Sequence, residues 1–168
     1  ERRSALGRGT DMKITVIGFG QCGNRIADEF ARINRIAINR RGIEICTGVY
    51  AVNTDTADLA GLRHIQSDYK HRILIGGEKT GGHGVGKINE LGALVTKEEA
   101  DKIFQVINDT KHLYETDAFF LAASGGGGTG SCTRPGSCNI VCLARPYASI
   151  KTISYAVVTI NLTVNNGL

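Results

Sequence analysis

Three glycine-rich segments each sit directly downstream of a short apolar run, and this arrangement leaves the chain few folds to choose from. Lys13–Gly18 (KITVIG) runs into Gly18-Phe19-Gly20-Gln21-Cys22-Gly23. Arg72–Ile75 runs into residues 76–86, which contain six glycines. Asp117–Ala123 (DAFFLAA) runs into Ser124–Ser131 (SGGGGTGS). Continuous apolar runs of this length suit strands buried on both faces. Glycine at their ends lets the backbone turn sharply and come close to a ligand.

The segments between these runs read as helices. From Gln21 to about Asn39 the apolar residues Ile26, Phe30, Ile33 and Ala37 recur every three or four positions. This predicts a helix with those four side chains facing inward and Arg25, Asp28, Glu29 and Arg32 mostly outward. Gly42 is its expected stop. Residues 43–53 predict a second strand, bent at Gly48. Residues 87–112 predict helix, with Lys97–Lys102 as a polar break. Strands separated by helices favour right-handed crossovers, so the expected fold class is α/β, a Rossmann-like parallel sheet flanked by helices.

The 168 residues suit one domain. Residues 1–11 read as an N-terminal extension and 12–131 as the domain core. Residues 132–168 differ in kind. The stretch 131–168 contains Arg134, Arg145 and Lys151 but no acid, and it holds both prolines and three of the five cysteines. The net charge of +4 is too mild to suggest a nucleic-acid partner. Apolar runs fall far short of the roughly 20 residues that span a bilayer. An odd number of cysteines without a secretory leader points to a reduced, cytoplasmic protein. Cys132, Cys138 and Cys142 lack the spacing and the fourth ligand of a zinc site, so no metal ligands are assigned among them.

Each glycine loop suggests phosphate binding to a different degree. The first satisfies GxGxxG between strand and helix, where the helix N-terminus offers N–H donors to an anion. Alone, this motif equally fits an NAD(P)-binding Rossmann oxidoreductase. Such an enzyme wants an acid at the end of the second strand for the ribose, and Asp55 in Asn53-Thr54-Asp55 comes two residues late. The second loop, Gly81–Lys87, nearly matches GxxxxGK[ST], but Ile88 stands where a magnesium-binding hydroxyl belongs, so a P-loop is discounted. His83 reads as an ordinary loop side chain. The third loop is the most informative: successive glycine N–H groups can wrap an anion, with Thr129 and Ser131 as added donors. A second anion nest after a later strand suits a nucleoside triphosphate gripped from two sides, and a dehydrogenase has no use for it.

Together these loops resemble the tubulin/FtsZ superfamily. Gly20-Gln21-Cys22-Gly23-Asn24 is similar to the first phosphate loop of tubulins. Asn53-Thr54-Asp55 resembles the second loop of FtsZ, and Gly82–Gly92 (GHGVGKINELG) its third. Gly126–Ser131 (GGGTGS) resembles the glycine signature shared by both. The opening MKITVIGFGQCGNRI and the third loop look most like the archaeal CetZ proteins. The resemblance implies a cytoplasmic, GTP-binding cytoskeletal protein that polymerises head to tail with itself, for cell shape or division, with GTP or GDP and Mg2+ as cofactors. Carried over by motif, Gly20, Gln21, Cys22, Gly23, Asn24 and Arg25 would stand at the nucleotide. Asn53 and Asp55 would lie near the magnesium side, and Gly84, Val85 and Gly86 near the γ-phosphate. Gly126, Gly127, Gly128, Thr129, Gly130 and Ser131 would cradle the phosphates.

The resemblance weakens after Ser131. The family continues with a helix, a strand, a ribose-binding Glu and a guanine-binding Asn. Here Pro135 and Pro146 allow only a short helix, Ser154–Leu162 is the candidate next strand, and no acid follows. The segment is either a frame-altered tail or a divergent half-domain. The family's water-activating acids belong to a second domain that these residues do not include. No catalytic residue is assigned, and the chain alone is expected to show little or no GTPase activity.

Overall fold

The computed structural model describes residues 12–109, 113–124 and 127–130, together with the strand at 155–159. The N-terminal extension 1–11, Gly126, Ser131 and the three tail cysteines lie outside the described residues.

Five strands form one parallel sheet. They are β1 (Ile14–Phe19), β2 (Cys46–Asn53), β3 (Arg72–Leu74), β4 (Ala118–Ala123) and β5 (Tyr155–Thr159). Their order is β3-β2-β1-β4-β5. The ladders β1–β2, β1–β4, β2–β3 and β4–β5 are all parallel. The expected α/β parallel sheet is therefore present. The strand foreseen within 154–162 is β5, which takes the edge beside β4.

A parallel sheet needs both faces covered, and alternate strand residues supply two apolar layers. Val16, Val49 and Ala51 face one side with Ala27, Leu59, Leu62 and Ile65. Ile17, Phe19, Tyr50, Val52, Phe119 and Leu121 face the other with Val95, Ile103 and Ile107. The first layer is roofed by α1 (Gly20–Arg41) and the short α2 (Thr56–Ala60). The second is roofed by α4 (Asn89–Glu98) and α5 (Ala100–Asn108), which follow a single turn, α3 (Gly77–Thr80). The boundary between α4 and α5 falls at Glu99, within the polar break expected at 97–102.

Helix α1 ends where glycine was expected to stop it. Gly42 adopts φ 66° and its N–H reaches the carbonyls of Ala37 and Ile38. Its inward face is the expected one only in part. Gly23, Asn24 and Ala27 are buried and Phe30 and Ala31 pack on the core, whereas Ile33 is 42% exposed. The reason is close packing. A Cβ on Gly23 would lie 2.1 Å from the Ala122 carbonyl oxygen, so the helix touches the sheet through its smallest residues. The bulkier isoleucines rotate outward.

Two short elements escaped the sequence reading. Helix α2 is capped by Asp55, whose Oδ1 accepts the N–H groups of Ala57 and Asp58 at 2.8 and 3.1 Å. Such a side-chain cap satisfies donors that a helix start leaves open. The turn α3 lies inside the glycine loop, bounded by Gly76 and Gly81, both in the left-handed region.

Candidate functional site

The strand order reverses direction between β1 and β4, because β2 and β3 lie to one side of β1 and β4 and β5 to the other. In open α/β sheets, ligands bind beyond the strand C-termini at such a point. Here the first and last glycine loops meet there. Gly20, at φ 69°, comes so near that its Cβ would stand 3.0 Å from the Gly130 N. Gly20 also starts α1, whose first turn has no side-chain cap and no acid. That leaves N–H groups and the positive end of the helix facing the cleft.

A cleft of about 330 Å³ occupies this position. Its walls include Gly20, Gln21, Cys22, Asn53, Asp55, Gly84, Val85, Gly86, Gly127, Gly128, Thr129 and Gly130. Segments far apart in sequence are thus brought together as the motifs foretold. Three expected residues stand elsewhere. Gly23 is buried against β4. Asn24 is 1% exposed, and neither its Nδ2 nor its Oδ1 finds a partner in the structure. Arg25 lines a neighbouring cleft with Gln21, Asp28, Asp58 and Arg63. Gly23 therefore acts by letting the helix seat on the sheet, and the long Arg25 side chain lies on the outer face of α1.

The Asn53–Asp55 segment and the Gly81–Lys87 loop are tied to each other, and Thr54 ties them to Thr129. The Gly84 N–H donates to the Thr54 carbonyl at 3.1 Å, and the Thr56 N–H to the Gly82 carbonyl at 2.9 Å. Thr80 Oγ1 bonds the Gly76 and Thr54 carbonyls. Thr54 and Thr129 share a buried hydroxyl–hydroxyl bond of 2.8 Å. Asn53 is buried and fully engaged: its Oδ1 accepts the Thr54 N–H, and its Nδ2 donates to Asp58 Oδ2. Asp58 Oδ1 in turn accepts from Gln21. Asn53 thus braces the floor of the cleft, with one partner on each of its amide atoms.

The cleft also contains residues that motif reading passed over: Thr54, Asp58, His83, Lys87 and Ser124. Thr54 was quoted with its loop but given no role, although a hydroxyl amid glycine loops is a legible signal. His83, in sequence an ordinary loop residue, lines the wall, and its backbone forms an isolated antiparallel bridge with that of Asp55. Ser124 opens the glycine loop Ser124–Ser131, whereas Asp58 carries no local signal. Among the described residues, no cluster of three or more His, Cys, Asp or Glu side chains suits a metal ion. Cys22 is a free, partly exposed thiol in the wall. Cys46 lies away from it, its thiol pushed up to about 11 by burial.

The first loop's alternative reading as an NAD(P) oxidoreductase is not supported. At Asp55 one carboxylate oxygen caps α2, which leaves a single oxygen where a ribose diol would take two. The comparisons point elsewhere too.

The family model described as Tubulin/FtsZ family, GTPase domain matches residues 13–166. Among curated proteins, the chain is 45% identical over 124 residues to the tubulin-like protein CetZ4 and 42% identical to CetZ1, both of Haloferax volcanii. Each alignment covers 74% of this chain and 30% of the relative, so the chain spans under a third of their length. Among solved structures, GDP-bound monomeric CetZ1 of H. volcanii matches with a TM-score of 0.71 at 34% identity, over 87% of this chain and 41% of that one. The GTPγS-bound protofilament of CetZ2 from the same organism gives 0.71 at 31%, over 89% and 40%. An empty FtsZ dimer from M. jannaschii gives 0.56 at 28%, over 88% and 36%.

Proposed function

The chain belongs to the tubulin/FtsZ family, and from that premise we propose that it binds a guanine nucleotide in the cleft beyond β1 and β4 as part of a cytoskeletal, filament-forming protein. The observation that carries this reading is the convergence of Gly20 with Gly127–Gly130 at the sheet's reversal point, beside an uncapped helix start. Backbone N–H groups there hold an anion without any side-chain cation. The fit is specific in space. A Cβ on Gly128 would meet Val85 Cγ2 at 2.3 Å, so the last two glycine loops already press together and leave room for phosphate only on the cleft side.

Residues divide the work. Gly20, Gln21, Cys22, Gly127, Gly128, Thr129 and Gly130 line the phosphates. Gly84, Val85 and Gly86 close the terminal end. Gly126 and Ser131 belong to the same signature by motif. Mg2+ travels with the phosphates and keeps most of its water. Of the carboxylate oxygens at the cleft, Asp55 Oδ2 is the one that caps no helix and binds no amide, and it is where the ion or its water would be met. A bound triphosphate would supply a phosphoryl bond open to hydrolysis. Among the described residues the acids of the cleft wall are Asp55, which caps α2, and Asp58, which is held by Gln21 and Asn53, and this chain alone is proposed to bind and not to turn over. Head-to-tail self-association, with a role in cell shape or division, is the corresponding proposal for the longer relatives' architecture. A cytoplasmic site of action suits a nucleotide ligand of this kind.

A titration of the chain with GTP, GDP, ATP and NAD tests the reading. Saturable guanine-nucleotide binding that NAD does not displace is expected. The double variant Gly128→Val, Gly130→Val is expected to weaken it by at least about 100-fold while far-UV circular dichroism stays unchanged. Displacement by NAD, or wild-type affinity in the variant, would reject the site. Phosphate release measured in the same samples is expected to stay at background.

A further inference from the structure

The lysine of the discounted P-loop-like motif stands at the cleft after all. Lys87 closes the loop Gly81–Lys87, and among the described residues that wall the cleft it is the one lysine or arginine. A Cβ on Gly128 would lie 3.3 Å from both the Lys87 N and Cα, so the lysine backbone abuts the last phosphate loop. Its side chain is exposed, and among the described residues it makes no ion pair.

The backbone at this residue is unusual. Lys87 has φ 65°, and among the described residues every other positive-φ position is glycine. L-residues other than glycine adopt this conformation at a cost, and such outliers gather where function over-determines the local geometry. The neighbouring Gly86, at φ 58°, shows that the loop has glycine available at an adjacent left-handed position. The lysine is strained and exposed, so packing does not account for it, whereas a charge held beside the terminal phosphate does. The other ionisable groups on the cleft wall are Asp55, Asp58, His83 and Cys22. Two of these are acids, and each γ-phosphate oxygen brought in adds to that negative charge.

We propose that Lys87 is a specificity-determining residue that places its ammonium group on the terminal phosphate and so makes this cleft prefer the triphosphate over the diphosphate. The inference rests on the guanine-nucleotide reading above. It adds a cation to a phosphate site otherwise built from neutral backbone donors. A lysine near a γ-phosphate acts as a point charge, so it discriminates by phosphate charge and not by base.

The test compares GTPγS with GDP on the full chain and on three variants, each checked for an unchanged far-UV spectrum. Lys87→Ala keeps a side chain at the strained position and removes the charge. Lys87→Gly removes both charge and strain. Lys87→Arg keeps the charge. In wild type, GTPγS is expected to bind about 10-fold or more tightly than GDP. Lys87→Ala and Lys87→Gly should both shrink that ratio toward one while GDP affinity stays within about 2-fold, and Lys87→Arg should largely restore it. The GTPγS affinity of wild type should also fall more steeply with salt than that of Lys87→Ala. A ratio that is one in wild type, or that is the same in wild type and both neutral variants, overturns the role of Lys87 and leaves the nucleotide site standing. Restoration by Lys87→Gly would assign the effect to backbone strain and also overturn it. Failure of wild type to bind either nucleotide rejects both readings together.

Discussion

The two ends of the same parallel sheet treat polar groups in opposite ways. At the N-terminal end, polar side chains satisfy one another. Thr15, Thr47 and Thr116 form a triangle of hydroxyls with edges of 2.9, 2.9 and 2.6 Å. Lys13 Nζ bridges Glu44 and Glu115, whose carboxylates raise its pKa further. The Lys13 and Asp117 backbones are laced by a side-chain and a main-chain bond of 2.8 Å each. At the C-terminal end such bonds remain, Thr54 to Thr129 and Asp58 to Asn53 and Gln21, but glycine backbone makes up much of the wall of a cleft. Asn24, buried just below, has both polar atoms unpartnered. A buried polar group left without a partner is costly. One end is closed by its own side chains, and the other opens into the cleft.

The strongest test of this contrast is Gly23→Ala, because Gly23 serves both ends of the argument. It seats α1 on β4 and so sets the helix start at the cleft. With its Cβ 2.1 Å from the Ala122 carbonyl, the substitution is expected to destabilise the fold by about 3 kcal/mol, the upper range for overpacking. Urea unfolding should show it, together with loss of nucleotide binding. A variant of wild-type stability would mean that the close contact does not brace the site.

A smaller effect separates the ends. Thr116→Val removes one corner of the hydroxyl triangle but leaves Thr15 and Thr47 bonded to each other. The expected loss is about 1 kcal/mol in unfolding free energy, with nucleotide affinity unchanged. A fall in affinity would show that the closed end is coupled to the open one.

The smallest effect concerns a carboxylate that the protein treats as its own anion. Burial pushes the Asp28 pKa up, but the N–H groups of Ile65, His64 and Arg63 outweigh it and hold the group below its ordinary value. Those donors reach it at 2.7 to 3.2 Å. Because the folded pKa is the lower one, this clamp stabilises fully above the unfolded carboxylate pKa near 4. It is lost as pH falls through the folded value. Asp28→Asn should cost under about 1 kcal/mol at neutral pH, given the partial exposure. It should also flatten the fall in stability between about pH 5 and 3, as read from thermal melts. An unchanged acid limb would remove Asp28 as its source.

Much of this molecule was legible because it is local. Gly42 stops α1, and the break in 97–102 appears at Glu99. The strand runs are where apolar residues cluster, since a strand buried on both faces needs little else. Gly20, Gly84 and Gly128 were marked by motif, and they do line one cleft. Helix α2 was missed because its signal is a single capping acid, Asp55, in a segment of five residues. The inward face of α1 was misjudged because hydrophobicity favours Ile33, whereas close packing favours Gly23 and Ala27.

The sequence by itself determined which segments become strands and loops along the chain, the glycines that backbone geometry demands, and the family. These follow from short-range sterics and periodicity, which neighbouring residues decide among themselves. Only the tertiary structure decided which distant groups meet. It joined Thr54 to Thr129, turned Arg25 away from the cleft, buried Asn24 without a partner, and set Lys87 against Gly128. Those outcomes depend on strand order and on how closely a helix can approach a sheet. Both are set by packing between segments up to a hundred residues apart, and no local pattern encodes them.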